Sequence, residues 1–102
     1  MGRYILSNKA IGDIGDIWNF TFDRWSEKQA DKYYRDFLDA FQELADNPGS
    51  GRNYDEVRAG LKGVRTGRHI VFFMALNERE IEIIRILHER MDLKSRFEER
   101  KR

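Results

Sequence analysis

IEIIRILHERMD at residues 81–92 and HIVFF at residues 69–73 decide the fold of this chain. Short runs so rich in Ile, Val and Phe predict β-strands, here Arg68–Leu76 and Ile81–His88. The four residues between them, Asn77-Glu78-Arg79-Glu80, are few enough for a hairpin connection. We therefore predict an antiparallel pair of strands, with Arg85 and His88 near the end of the second one as candidates for chemistry.

The elements before this hairpin complete an α+β pattern. A third strand-like run, Val57–Arg65, precedes it, and Arg3–Leu6 predicts an opening strand. Between them, apolar residues recur at helical spacing in two segments, one from Ala10, with Ser7 at the N-cap position, and one after the capping box that begins at Ser26. The second helix ends at Asn47-Pro48-Gly49, and residues 49–56 form a polar loop. The order β-α-α-β-β-β predicts an antiparallel helical hairpin packed on a small, mainly antiparallel sheet, with the first strand at its edge.

Length and composition limit the class of protein. With 102 residues the chain is expected to form one domain over residues 1–102, with a basic tail at about 93–102. The absence of cysteine excludes disulfides and thiolate metal sites, no spacing of His, Asp and Glu suggests a metal, and no cofactor is expected. No apolar run approaches the ~18 residues of a membrane span, and no signal peptide is recognisable. The sequence therefore predicts a cytoplasmic protein without a membrane partner.

Charge and aromatic residues are unevenly distributed. Residues 8–47 hold five basic and nine acidic side chains, whereas the rest of the chain holds fourteen basic and nine acidic. Such a dipole suits a basic partner on one side and an acidic partner on the other, although a merely solvated, charge-rich surface is an equally good interpretation. The helical segments also carry more aromatic residues than a narrow helix–sheet seam needs. They form either core alone or core plus a partner groove.

Three patterns together resemble the ParE toxins of the RelE/ParE superfamily, from Tyr4 to Asp92. They are Leu6-Ser7-x-x-Ala10-x-x-Asp13-Ile14-x-x-Ile17-Trp18, Asn47-Pro48-x-x-Gly51-Arg52-x-x-Asp55-Glu56-x-Arg58, and Ile84-Arg85-Ile86-Leu87-His88-x-x-Met91-Asp92. The resemblance implies a toxin of a type II toxin–antitoxin system that arrests growth by poisoning DNA gyrase. It further implies a ParD-like antitoxin whose disordered tail folds as it wraps the toxin. DNA is then contacted only indirectly, through the toxin–antitoxin complex or through gyrase.

The resemblance also implies where the partners bind, and it implies no catalytic residue. Gyrase-directed determinants are expected from Arg85 onward, and the target-binding residues predicted there are Arg85, His88, Arg90, Met91, Lys94 and Arg96. The aromatic surplus gives the predicted antitoxin-binding residues, which are Trp18, Phe22, Tyr33, Tyr34, Phe37 and Phe41.

Two alternatives remain open at this stage. A RelE-like, ribosome-dependent mRNA endonuclease would use a base, an acid and phosphate-binding cations, drawn here from Arg58, Arg65, Arg85 and His88. No tyrosine follows the last strand, where several such nucleases have one. A purely structural interpretation of the same residues is that Arg85 pairs with an acid on a neighbouring strand and that His88 is a hydrogen-bonding residue at a strand end. The other alternative is a degenerate, non-toxic binding module.

Overall fold

Two long helices lie on one face of a five-stranded sheet in the computed structural model, which describes residues 2–98 apart from the side chains of residues 94, 95 and 98. The helices are α1 (Asn8–Arg24) and α2 (Glu27–Asp46), followed by a 3-10 turn at Pro48–Ser50. The strands are β1 (Arg3–Leu6), β2 (Arg52–Asn53), β3 (Lys62–Thr66), β4 (His69–Ala75) and β5 (Glu80–His88), and a short helix α3 (Leu93–Glu98) follows. The predicted α+β fold is confirmed.

Both long helices begin at serine caps that the sequence predicts. The Ser7 hydroxyl accepts a hydrogen bond from the backbone N–H of Ala10, and the Ser26 hydroxyl accepts one from that of Gln29. Each bond satisfies a helix N–H that has no acceptor inside the helix. Ser26 follows Trp25 directly after α1, so the connection is short and α1 and α2 pack antiparallel as a hairpin.

The sheet has the order β1-β5-β4-β3-β2. Neighbouring strands from β2 to β5 are antiparallel, whereas β1 pairs parallel with β5 and joins the first residues of the chain to its last strand. The ladder between β4 and β5 contains a β-bulge: Phe72 pairs with Arg85 and Phe73 with Ile83, so Ile84 is the extra residue. A bulge bends its strand and turns the following side chains, which sets the direction of Arg85 and His88.

Apolar side chains pack on both faces of the sheet. The face that α1 and α2 cover holds the larger core, which includes Phe37, Phe41, Val71, Phe73 and Ile83. The opposite face holds a smaller core of Leu61, Phe72, Ile84, Leu87 and Phe97. Phe97 comes from α3 and its ring meets the ring of Phe72 edge-on at 5.3 Å, so α3 closes the second face. The first part of the basic tail predicted at about 93–102 is thus helical, over Leu93–Glu98.

Two boundaries differ from the sequence prediction. The predicted strand Val57–Arg65 is wrong over residues 57–61, because the Asp55 carboxylate accepts a hydrogen bond from the Gly60 N–H and folds that segment into turns. The polar loop contains the two-residue strand β2. The hydropathy pattern did not predict this strand, because its side chains are charged and polar. Within residues 2–98, no helix is both long and apolar enough to cross a membrane.

Candidate functional site

The strongest polar interaction near the end of β5 joins it to α1. Nε of Arg85 donates to one carboxylate oxygen of Asp13 at 2.9 Å, and Nη2 donates to the other at 3.0 Å. The backbone N–H of Ile86 donates to the same carboxylate at 2.9 Å. The side chains are only 11% and 14% exposed, so the pair is shielded from water. We call this arrangement the Asp13 clamp.

The clamp lies where β1 stops. β1 pairs with β5 only as far as Leu6 and Ile83, and the Ser7 hydroxyl then donates to the Ile84 carbonyl. Beyond that point no strand of residues 2–98 lies along the edge of β5, and the Asp13 carboxylate accepts the bond from the Ile86 N–H instead. The prediction that Arg85 pairs with an acid on a neighbouring strand is wrong in its location, because the acid comes from α1.

His88 ends β5 and makes a strand-end hydrogen bond, as the structural interpretation of the sequence describes. Its Nδ1 accepts from the backbone N–H of Arg90 at 3.2 Å. The ring also lies edge-on to that of His69, with the centroids 5.4 Å apart, because the two histidines face each other across β4 and β5.

A buried network beside this pair joins α2 to the β3–β4 turn. The Tyr33 hydroxyl lies 3.1 Å from the Thr66 carbonyl, 3.1 Å from the Arg68 N–H and 2.8 Å from Nδ1 of His69. A hydroxyl has one proton to donate, and the carbonyl can only accept, so His69 donates from Nδ1. Burial and the neighbouring His88 lower the pKa of His69 to about 4, and burial raises the pKa of Tyr33. His69 is therefore neutral near pH 7.

The four residues of the nuclease alternative are not assembled as a site. Arg85 is held by Asp13, while Arg58 lies in the turn before β3, where its Nη1 is buried and no described group accepts from it. Arg65 on β3 does approach the end of β5, since its guanidinium lies 2.7 Å from the Glu89 carboxylate. Arg65 thus contacts the residue that follows His88, whereas Arg85 is engaged by Asp13.

Asp55 has a local structural role. Its carboxylate accepts from the Asn53 amide and the Gly60 N–H, and these bonds lower its pKa. Among the described residues, no group of three or more His, Asp and Glu side chains could hold a metal ion.

The predicted antitoxin-binding residues divide into core and surface. Phe37 and Phe41 are fully buried, so the prediction that they line a partner groove is wrong: both rings pack between α2 and the sheet. Tyr33 is half-buried and held by the network with His69. Trp18, Phe22 and Tyr34 remain accessible on the outside of the helical hairpin.

The predicted target-binding residues follow β5 in sequence. Arg90 and Met91 are exposed in the turn between β5 and α3, whereas Arg96 is partly buried in α3. The Lys94 side chain and the tail beyond residue 98 lie outside the described residues. Sequence patterns missed the role of Asp13, although it belongs to one of the quoted patterns. A lone acid among the apolar positions Ala10, Ile14 and Ile17 was the available signal.

Two helices on a mixed sheet with an elongated last strand define the class as the RelE/ParE toxin fold. A solved structure with this fold, titled "Chromosomal ParDE TA system from P. aeruginosa", aligns with a TM-score of 0.72 over 86% of this chain and 95% of that one. The two chains are 19% identical, so this match speaks for the fold alone.

Sequence comparison identifies the family. The family described as "ParE toxin of type II toxin-antitoxin system, parDE" matches residues 4–93, and the chain belongs to it. Toxin ParE1 of Mycobacterium tuberculosis is 40% identical over 91 residues, which cover 89% of this chain and 93% of that relative. Toxin ParE1 of Caulobacter vibrioides is 35% identical, with 93% and 97% covered, and Toxin ParE of Escherichia coli is 30% identical, with 98% and 97% covered.

Proposed function

We propose that this ParE-family toxin arrests growth by binding DNA gyrase and trapping its cleaved-DNA state, and that a ParD-like antitoxin holds it inactive. In this proposal the toxin acts by binding rather than by catalysis. The surface that meets gyrase is the turn that follows β5, with Arg90 and Met91 at its centre and His88 and Arg96 on either side.

The Asp13 clamp is the observation that carries this proposal. An arginine that binds phosphate needs N–H donors that can reach the incoming anion. In this chain, Nε and Nη2 of Arg85 both already donate to the Asp13 carboxylate. Nδ1 of His88 likewise already accepts a hydrogen bond from the Arg90 backbone N–H. The same contacts fix the end of β5 and the start of the exposed turn, which suits a preformed binding surface.

The antitoxin is assigned to the other side of the molecule. The helical hairpin carries nine acidic and five basic side chains within residues 8–47, whereas residues 93–102, which follow the turn after β5, hold five basic and two acidic side chains. Charge complementarity therefore favours a basic antitoxin segment on the hairpin, and it favours an acidic or nucleic-acid-bearing target at the basic segment that follows the turn.

Purified toxin added to gyrase and plasmid DNA tests the proposal. We expect inhibited supercoiling and an accumulation of cleaved DNA, both reversed when the antitoxin is added. The charge reversal Arg90→Glu should abolish both effects. Arg79→Glu is the matched control, because Arg79 is also an exposed arginine, in the turn at the opposite end of β5, and should leave gyrase poisoning unchanged.

The nuclease alternative is favoured by one contact, the ion pair of Arg65 with Glu89, which directly follows His88 in the chain. If the purified protein leaves gyrase untouched and cuts messages undergoing translation, the enzyme replaces the gyrase poison. If expression without the antitoxin causes no growth defect, the chain is a degenerate binding module.

A further inference from the structure

Three arginines lie in one region of the sheet face that carries the smaller core. Arg52 on β2 pairs with Gly63 on β3, and Arg65 lies two residues further along β3, so their side chains project from the same face. Gly63 points to the smaller core, since a Cβ built on it would lie 3.0 Å from the Tyr54 ring. Arg68 follows in the turn between β3 and β4, and all three arginines are exposed. We call Arg52, Arg65 and Arg68 the arginine patch.

An aromatic layer lies within the patch. The Tyr54 ring is half-buried and meets the ring of Phe72 edge-on, with the centroids 5.1 Å apart. The guanidinium carbon of Arg52 lies over the Tyr54 ring, 5.4 Å from its centroid. Unpaired nucleic-acid bases stack on aromatic rings and on the planes of arginine guanidinium groups. The patch therefore combines cations with a surface for base stacking.

Part of the patch already holds an oxyanion, the carboxylate of Glu89. Nη2 of Arg65 lies 2.7 Å from one Glu89 oxygen, and Nη1 of Arg68 lies 4.0 Å from the other. The Glu89 N–H also donates to the Arg68 carbonyl at 2.9 Å, and Nε of Arg65 is oriented by donating to a carbonyl of the same turn at 3.1 Å. The two arginine side chains are 66% and 72% exposed. Water therefore screens the ion pairs, and an external phosphate can compete with Glu89.

We propose that the arginine patch binds the phosphate backbone of a DNA strand directly, that a base stacks on the layer formed by Arg52 and Tyr54, and that Glu89 is an internal competitor for the phosphate. This inference rests on the proposed function, because the strand belongs to the cleaved DNA that the toxin traps on gyrase. It replaces the expectation that DNA is contacted only indirectly with a contact made by the toxin itself.

The chemistry of the patch favours a DNA strand over an acidic protein surface. Diagonal neighbours on adjacent strands, such as Arg52 and Arg65, are about 7–8 Å apart. Arginines at this separation reach different phosphates of one strand, which carries one charge per ~3.4 Å of its axis. Each cation of the patch is an arginine, whose planar fork binds a phosphate through two hydrogen bonds. Base stacking beside these cations adds affinity that a carboxylate surface of the same charge lacks.

Fluorescence anisotropy of a labelled single-stranded DNA of about 12 nucleotides, titrated with the toxin, measures this contact. Arg52→Gln and Arg65→Gln should each weaken binding by about threefold or more at ~50 mM salt. Each should also reduce by about 0.7 the slope of the logarithm of the association constant against the logarithm of the salt concentration, because one phosphate contact is lost. Arg79→Gln is the matched control, since Arg79 is an exposed arginine at the opposite end of the sheet, and it should bind like the unmodified toxin.

The competing carboxylate gives a second test of opposite sign. Glu89→Gln should tighten DNA binding by about threefold, because the phosphate no longer competes with an internal anion. Glu78→Gln makes the same change in net charge at an exposed position in the turn between β4 and β5, and it should leave the affinity unchanged. The basic segment at residues 93–102 is the same in every variant, so the differences between variants report the patch alone.

The gyrase assay separates this inference from the proposed function. The double variant Arg52→Gln with Arg65→Gln should require about tenfold more toxin to accumulate the same amount of cleaved DNA. If the toxin poisons gyrase but the arginine variants bind DNA and poison gyrase like the unmodified toxin, the inference is wrong and the proposed function stands. If the predicted order of DNA affinities is found but gyrase is untouched, the DNA contact stands and the proposed function fails. Binding of an RNA strand of the same sequence without binding of the DNA would overturn the assignment to DNA.

Discussion

Removing the Asp13 carboxylate tests whether the clamp holds the end of β5. In the unmodified toxin the Arg85 side chain is only 11% exposed. The substitution Asp13→Ala removes both hydrogen bonds from Arg85 to Asp13, and it also removes the acceptor of the Ile86 N–H. Breaking a shielded ion pair from one side typically costs about 3–5 kcal/mol, because the remaining charge loses that partner. That is a large share of the roughly 5–15 kcal/mol that stabilises a domain.

Urea unfolding followed by tryptophan fluorescence measures this loss. The double variant Asp13→Ala with Arg85→Leu should recover more than half of it, since no buried charge then remains. Asp36→Ala is the control, because the Lys32–Asp36 pair is exposed and should contribute about 0.5 kcal/mol or less. A loss below about 1 kcal/mol for Asp13→Ala, or additive effects in the double variant, would refute the clamp as a stabilising element.

Three further predictions concern the network around His69 and the helix caps. The folded pKa of His69 is about 4 against 6.5 for the free side chain, so the unfolded chain binds more protons between these values and stability falls as the pH drops through them. From pH 7 to pH 5 we expect a loss of about 1 kcal/mol after allowing for the partial exposure of the ring, and His69→Gln should flatten this dependence in unfolding curves. Gly67→Ala should destabilise by about 1–3 kcal/mol in thermal melts, because Gly67 has a φ of +61° and a Cβ there would lie 2.5 Å from the Tyr33 hydroxyl; an unchanged melting temperature would contradict this. Ser26→Ala should lower the free energy of unfolding by about 1 kcal/mol through loss of the α2 cap, whereas Ser26→Asp should retain it.

The sequence predicted those features of the fold that depend on local pattern. Ser7 and Ser26 cap helices, Pro48 follows the end of α2, and the runs before Ala75 and His88 form strands, because each signal acts within a few residues. The turn at residues 57–61 was missed because it depends on a bond between Asp55 and Gly60 rather than on hydropathy.

The site was less predictable because its contacts are distant in sequence. Asp13 meets Arg85 across 72 positions, and Tyr33 meets His69 across 36. Helical periodicity also cannot say which aromatic residues of α2 turn inward. Phe37 and Tyr34 are three positions apart, yet one is fully buried and the other is 41% exposed.

The parallel pairing of β1 with β5 gives the chain an order of assembly during synthesis. β1 is made first, but its partner strand is made almost last, so the sheet cannot be completed until β5 has emerged. The helical hairpin precedes β5 in the chain by several seconds of translation at roughly 5–20 residues per second. On the proposed assignment of surfaces, an antitoxin can engage the nascent toxin before the turn that meets gyrase exists.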